Sequence, residues 1–401
     1  MHYGLFCITL HKKQEVTNLS CDPFSIMTLH VFNPEHDIAL ASNLSNFTAP
    51  RAGRQLRHDL SFLPLLWAAE DDVVLVDDAE YAKRQFQELF MHLTPIVGAT
   101  YSNGWSNLLQ RLEQNAPRAG ATAVNPWGWN RALCAELKRR GINESLLPDD
   151  EQLQRFRALS HRRTAARLLS QLQQDGTVGK AVECRSVDEI EGFLNRHPRA
   201  VLKAPWSSSG RGVRVVDTAN KDGQPSESHQ RLMDWAANVI RLQGSIMAEP
   251  YYEKVIDFAM EFCVGETGQI CYKGLSVFHT EGSAYTGNLL AIETIKEEII
   301  SRYIPVSLLN SIQKKIVSVL DLEDYRGCFG IDMMVVRQPI ATKDDETAGF
   351  LLHPCVELNL RRTMGHVALA LTEKLGIRND TQAQMQVLYN GNHYQLTIQA
   401  L

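Results

Sequence analysis

Three groups of residues in this chain have types and spacing that could do chemistry. The first is Val201-Leu-Lys203-Ala-Pro-Trp-Ser207-Ser208-Ser209-Gly210-Arg211-Gly212. Glycine lets the backbone come close to an anion, serine adds hydroxyl donors, and a lysine on the preceding strand supplies a point charge for phosphate oxygens. A strand rather than a helix follows the loop, and no GxxxxGK[ST] run is present, which excludes a dinucleotide fingerprint and a Walker loop. Taken alone, the segment reads equally as a flexible hairpin with a solvated lysine.

The second group is Cys355-Val-Glu357-Leu-Asn359, with Ile331-Asp332-Met333 upstream. In a strand, residues i and i+2 share a face about 7 Å apart, so Glu357 and Asn359 project together as hard oxygen ligands. That suits Mg²⁺. If 329–336 and 350–358 pair as a hairpin, Asp332 reaches the same face, and phosphate oxygens and water complete an octahedral shell. A solvated sheet face is the plainer alternative. Arg361 and Arg362 follow directly, and a guanidinium there can grip a phosphate or carboxylate bidentately. The third group is Met247-Ala-Glu249-Pro-Tyr251-Tyr252 with Asp257 beyond it. A short strand end beside aromatic rings could clasp a heterocycle edge, and the acid could accept sugar hydroxyls.

The elements that must carry these residues follow from periodicity. Thr28–Phe32 and Asp72–Val76 read as strands, and Leu56–Ala69, Tyr81–His92 and 130–140 as helices, with Gly141 as a stop. Strand–helix alternation predicts a mostly parallel sheet, a first α/β domain ending near Pro148. Beyond it, Ser160 is read as a helix cap and Ser186 with Glu189 as a capping box. Strands are expected at Ala200–Ala204, Val213–Val216, Ile246–Glu249, Val255–Val264, Phe329–Val336 and Phe350–Leu358, with helices near 232–240 and 307–320. This second part mixes strands and helices and reads as α+β.

Composition narrows the function classes. The 401 residues carry 41 Lys and Arg against 46 Asp and Glu, a net charge of −5, which argues against a dedicated nucleic-acid binder. No apolar run approaches the ~20 residues of a membrane span. The eight cysteines form no CxxC pair and read as small apolar core residues of a reducing cytoplasm. Residues 1–26 show no sustained period, and Lys12 and Lys13 follow the apolar run Leu5–Leu10 instead of preceding it, the wrong order for a secretion signal. That segment reads as a dispensable leader.

The order of these motifs resembles the ATP-grasp superfamily, which includes D-alanine:D-alanine ligase, biotin carboxylase and glutathione synthetase. The resemblance covers about 155–375. It implies an α/β pre-ATP-grasp domain, here 27–150, then an ATP-grasp fold of two α+β subdomains clasping ATP, here 151–375, with 376–401 as C-terminal strands or tail. By similarity, Lys203 binds the α- and β-phosphates and Ser207, Ser208, Ser209, Gly210, Arg211 and Gly212 form a mobile loop over the triphosphate. Glu249 and the backbone of Tyr251 and Tyr252 meet adenine, Asp257 the ribose, and Asp332, Glu357 and Asn359 bind Mg²⁺, with Mn²⁺ as a substitute. The family's first ATP lysine is replaced here by Arg162 or Arg163.

The reaction so implied is an ATP-dependent carboxylate-amine or carboxylate-thiol ligation through an acyl phosphate, with Lys203 and one of Arg361 and Arg362 catalytic. Its partners are a small carboxylate and a nucleophile, with neither nucleic acid nor membrane, and a homodimer is compatible with it. Substrate recognition is assigned to Glu35, His36 and Asp37, at the carboxyl end of a presumed parallel strand, and to Lys273 and Asn288, the latter in a polar loop His279–Asn288. Two rivals stay open: an ATP-dependent phosphotransferase on the same scaffold, and a nucleotide-binding regulatory module without chemistry.

Overall fold

Four short parallel strands open the chain: β1 (Thr28–Val31), β2 (Val73–Leu75), β3 (Leu112–Glu113) and β4 (Ala123–Pro126), in the order β3-β2-β1-β4. In this computed structural model the described residues are 27–97, 106–113, 121–207, 212–218, 227–281, 284–338, 349–378 and 381–401. The expected leader therefore lies outside them. The helix expected over Leu56–Ala69 is instead Arg51–Asp59 followed by a 3₁₀ turn at Leu63–Leu66. Pro64 cannot continue an α-helix, and Leu63, Leu65 and Leu66 are all 0% exposed, so this run has no polar face to turn to water.

A second sheet holds β5 (Val182–Cys184), β6 (Arg199–Lys203), β7 (Val213–Asp217) and β8 (Ile246–Pro250), antiparallel in the order β5-β8-β6-β7. Helices Val187–Arg196 and Glu227–Gln243 pack their apolar stripes on it through Ile190, Phe193, Met233 and Ala236. Two caps differ from expectation. Ser160 ends one helix, and the His161 ring, accepting the Arg163 N–H at 3.0 Å, starts the next, Arg162–Leu172. Ser186 does accept the Glu189 N–H, but the Glu189 carboxylate turns to the Arg185 N–H at 2.7 Å, so the box is half-formed.

The third sheet is the largest: β9 (Lys254–Val264), β10 (Ile270–Glu281), β11 (Ala284–Leu290), β12 (Gly327–Arg337), β13 (Phe350–Asn359), β14 (Ala383–Tyr389) and β15 (Tyr394–Ala400). Its order is β13-β12-β9-β10-β11-β14-β15, antiparallel throughout. The segment 376–401 thus contributes two strands that extend this sheet. The polar loop expected at His279–Asn288 is also strand, the ends of β10 and β11, with the intervening 282–283 outside the described residues. Polar side chains misled there because His279 and Glu281 are exposed strand positions and Asn288 is a polar residue buried in the sheet.

Alternation along β9 and β12 separates two faces. Phe258, Met260, Phe262, Phe329, Ile331, Met333 and Val335 pack under helices Arg162–Leu172 and Val306–Val319 in the main core. Asp257, Ala259, Glu261 and Cys263, opposite Met334, Asp332, Gly330 and Cys328, form the other face. Helix Met364–Lys374 covers part of it and shares a core with the first sheet through Val367, Leu371, Phe32 and Leu66. No helix among the described residues is long and apolar enough to cross a membrane.

The first sheet meets this assembly through two loops that leave the carboxyl ends of β1 and β4. Asn33, fully buried, donates to Gly128 O at 2.8 Å and accepts the Gly128 N–H at 3.3 Å. The His36 ring lies flat against Gly128, where an added Cβ would stand 2.6 Å from Nδ1. Because His36 is held by Asn130 and is 2% exposed, it has nowhere to go. Gly128→Ala is therefore expected to cost about 1–3 kcal/mol, read as a lowered thermal midpoint; an unchanged midpoint would show that the loops are not packed this way.

Candidate functional site

The expected hairpin is present, and its register sets the site. Asp332 on β12 lies directly opposite Glu357 on β13, and Gly330 opposite Asn359. Directly opposed residues hold their Cβ atoms about 4.5–5.5 Å apart, so the three oxygen-bearing side chains share a face. Asn359 donates from Nδ2 to Asp332 Oδ2 at 3.1 Å. Burial pushes the Asp332 carboxyl well above the usual carboxylate range, and the neighbouring charges of Glu357 and Glu261 add to the rise. This is a site with an excess of negative charge.

A cation reaches it from the helix that follows Ser160. Arg162, buried at the start of its helix, donates from Nη2 to Glu357 Oε1 at 2.7 Å and from Nη1 to Ala204 O at 2.5 Å and Ser207 Oγ at 2.8 Å. Burial opposes its charge, but Glu357, Glu249 and Asp37 together raise its pKa above the ordinary value. Arg163 points away, pairing with Glu183 at 2.9 Å. Of the two arginines proposed from sequence, Arg162 is the one in the cleft. Lys203, at the end of β6, donates to Glu249 Oε2 at 2.6 Å, and both side chains are 9% exposed. Gly212 packs where a Cβ would stand 2.4 Å from Ser207 Cβ, so the loop ends approach closely there. Ser208, Ser209, Gly210 and Arg211 lie outside the described residues.

The expected base-binding edge is partly committed elsewhere. The Tyr251 N–H donates to Arg199 O at 3.0 Å and the Arg199 guanidinium sits 3.8 Å from the Tyr251 ring centre, so that N–H cannot serve an adenine. Glu249 holds Lys203. Tyr252 stands edge-on to His353 with ring centres 5.4 Å apart. Asp257 lies on the same strand face as Ala259, and its Oδ2 accepts both from Lys254 and from Thr280 Oγ1 at 2.6 Å, so that oxygen is already engaged.

The cluster Glu35-His36-Asp37 splits three ways. Glu35 takes Arg57 at 3.0 Å and borders a separate open cleft in the first α/β layer with Phe47, Arg54 and Arg139. His36 is a packing residue, its pKa lowered to about 4 by burial. Asp37 alone joins the site: Arg361 grips it through Nε at 3.1 Å and Nη2 at 2.8 Å. Burial works against that carboxylate, yet Arg361 holds it below the ordinary value. Arg362 instead lies over the Trp67 ring, 4.2 Å from its centre, its backbone N–H on Trp127 O at 2.8 Å.

Lys273 falls in a bulge between Tyr272 and Gly274, where Glu293 takes the Leu275 N–H, and its side chain is exposed. Asn288 is fully buried and donates to Ser276 Oγ at 2.7 Å. Sequence reasoning missed two residues. Glu261 is 1% exposed on the strand between Asp332 and the cysteines, and its place in a polar alternation with Asp257 was the available signal. His353, 1% exposed beside Tyr252, has both ring nitrogens buried without a hydrogen bond, and burial lowers its pKa to about 3.

No protein-family model matches the chain, and no curated protein sequence does. Solved structures do. Biotin carboxylase from Campylobacter jejuni, in a complex with a β-γ-ATP ligand, aligns at 11% identity and TM-score 0.48 over 90% of this chain and 76% of that one. N5-carboxyaminoimidazole synthetase from Staphylococcus aureus, complexed with ADP, aligns at 11% identity and TM-score 0.45 over 91% and 83%. The N5-carboxyaminoimidazole ribonucleotide synthetase of Thermus thermophilus aligns at 14% identity and TM-score 0.42 over 90% and 83%. The functional reading rests on the side chains described above.

The charge excess at Asp332 has a measurable sign. A carboxyl whose folded pKa is raised stabilises the fold at low pH and loses that contribution as pH rises through the raised value. In chelator-treated protein at neutral pH, Asp332→Asn, which keeps an acceptor for Asn359, is expected to raise the melting temperature by about 2–4 °C, the shift of about 1 kcal/mol in a domain of roughly 200 residues. A lowered melting temperature would mean that Asp332 is already compensated.

Proposed function

We propose that this chain is an ATP-grasp enzyme, an ADP-forming ligase that joins a carboxylate to an amine or thiol through an acyl phosphate. One observation carries the reading. Asp332, Glu357 and Asn359 share a half-buried face, Arg162 pairs with Glu357 on it from the first turn of helix Arg162–Leu172, and Lys203 stands at the end of β6 paired with Glu249. The donor set fits Mg²⁺: hard oxygens, with the Asp332 carboxyl kept protonation-prone by burial and by the charges of Glu357 and Glu261, against the weaker pull of Arg361. Asp332, Glu357 and Asn359 would hold that ion, which when bound supplies charge neutralisation for phosphate oxygens.

The chain's own residues then divide the work. Lys203 can exchange Glu249 for phosphate oxygens, since an ammonium keeps two further N–H donors. Arg162 joins the loop at Ser207 to the metal-facing strand, so it fixes the loop's base at the phosphates. Arg361 spends Nε and Nη2 on Asp37 and one Nη1 donor on Arg362 O, which leaves N–H groups to hold the reacting carboxylate. A carboxylate oxygen attacks the γ-phosphorus, the bond to ADP breaks, and the nucleophile then displaces phosphate from the acyl carbon and gives up its proton. Catalysis of this kind is mainly positioning and electrostatics.

The reading is tested by ADP release from purified protein supplied with Mg-ATP and pools of small acids with amines or thiols. Release that needs both an acid and a nucleophile is expected; a stable phosphorylated product formed without a nucleophile would instead make it a phosphotransferase. With a substrate in hand, Glu357→Gln should depress turnover far more than ATP affinity, because the lost charge matters most as charge develops in the transition state. Turnover within a few-fold of wild type would refute the metal assignment. Lys203→Ala should weaken Mg-ATP binding about 10- to 150-fold, as for loss of a charge-assisted contact. Because it strands the buried Glu249, the double variant Lys203→Ala/Glu249→Gln serves as the folding control, and unchanged affinity in both would remove Lys203 from the phosphate site.

A further inference from the structure

The polar face of the large sheet continues beyond Asp332 to a second cluster of donors. Cys263 on β9 and Cys328 on β12 are directly opposed, with sulfurs 2.9 Å apart. A ring nitrogen of His366, from the first turn of helix Met364–Lys374, completes a group whose ligand atoms all lie within 4.8 Å of one another. His366 Nε2 meets the Phe262 carbonyl at 3.0 Å, the second contact that commonly fixes a ligating imidazole, and Nδ1 faces Glu261 Oε2 at 3.0 Å. That Glu261 oxygen is buried and has no hydrogen bond. Gly330 and Gly365 make its room: a Cβ would stand 2.5 Å from Glu261 Oε2 at the first and 1.9 Å from Oε1 at the second.

We infer that Cys263, Cys328 and His366 form a binding site for a zinc ion, distinct from the oxygen-rich site at Asp332, with the Glu261 carboxylate beside His366 Nδ1 swinging in as the fourth donor when the ion binds. Two thiolates, an imidazole and a carboxylate make the four-coordinate, sulfur-containing donor set that zinc takes, whereas Mg²⁺ prefers oxygen alone. Gly330 and two strand positions separate Cys328 from Asp332, so each ion would keep its own donors. Zinc–sulfur bonds of about 2.3 Å at a tetrahedral angle place the sulfurs roughly 3.8 Å apart. Loading therefore parts the thiols by about 0.9 Å, which a side-chain rotation of the half-buried Cys263 can supply. Nδ1 exchanges its contacts with Thr363, Oγ1 at 2.9 Å and N at 3.2 Å, for the metal. On binding, the thiols and the imidazole lose their protons to solvent. No electron transfer is involved.

The test uses the full chain, reduced and stripped of metal with a chelator, then titrated with Co²⁺ and with Zn²⁺. One equivalent of Co²⁺ is expected to give thiolate charge-transfer absorption and the strong visible bands of a four-coordinate ion, which an equivalent of Zn²⁺ abolishes. Cys263→Ser and Cys328→Ser should each lose the charge-transfer band, while Cys271→Ser, the exposed cysteine opposite Cys263 on β10, keeps it. If Cys328→Ser fails to fold, the half-buried Cys263→Ser and the wild-type titration still decide. Absence of the band in wild type, its survival in Cys263→Ser, or reduced protein that forms a Cys263–Cys328 disulfide in air without taking up metal would each overturn the inference.

Discussion

Buried negative charge on one face of the large sheet organises this molecule. Strands Lys254–Val264 and Gly327–Arg337 bury an aromatic and aliphatic face on one side, which forces Asp257, Glu261 and Asp332 to the other. Glu357 arrives opposite Asp332 through the hairpin. An isolated buried carboxylate is costly enough that it either binds a proton or recruits a cation. Burial and the neighbouring carboxylates push Asp332 toward the first, and Glu357 does the second through Arg162.

The same constraint explains how the three sheets are joined. Arg162–Glu357 ties the second sheet and its neighbouring helix to the hairpin, Arg361–Asp37 ties the first sheet to the same strand end, and Glu261–His366 ties the covering helix. Buried ion pairs return little net stability compared with apolar packing, but removing one partner costs about 3–5 kcal/mol. Their concentration on one face is better explained by the ligands they would meet than by folding. Trp67, Trp127 and Phe32 supply the apolar contact around these ties.

Much of this order is legible in the sequence, for stated reasons. The i, i+2 spacing of Glu357 and Asn359 specified a shared face, while the hairpin that brings Asp332 to it stood in the sequence only as a condition that the register of β12 and β13 meets. Less was legible where burial and polarity coincide. The segment ending at Asn288 looks like a surface loop because Ser, Thr and Asn usually are exposed, yet Asn288 is enclosed by Ser276 and Tyr285. His36 and Asp37 are adjacent in sequence but go to a core and to a charge pair, a divergence that depends on which residue Gly128 and Arg361 meet. Cys263, Cys328 and His366 are far apart in the chain, so no spacing rule could assemble them.

The central claim is that the face bearing Asp332, Glu357 and Asn359 receives a metal-bound nucleotide delivered by Lys203 and Arg162. Calorimetric titration of the wild-type chain with ATP, once with excess Mg²⁺ and once with chelator, addresses it most directly. The account predicts one ATP per chain, bound markedly tighter with Mg²⁺ because the cation offsets carboxylate and phosphate charge together. Absence of ATP binding, or an affinity indifferent to Mg²⁺, would contradict it.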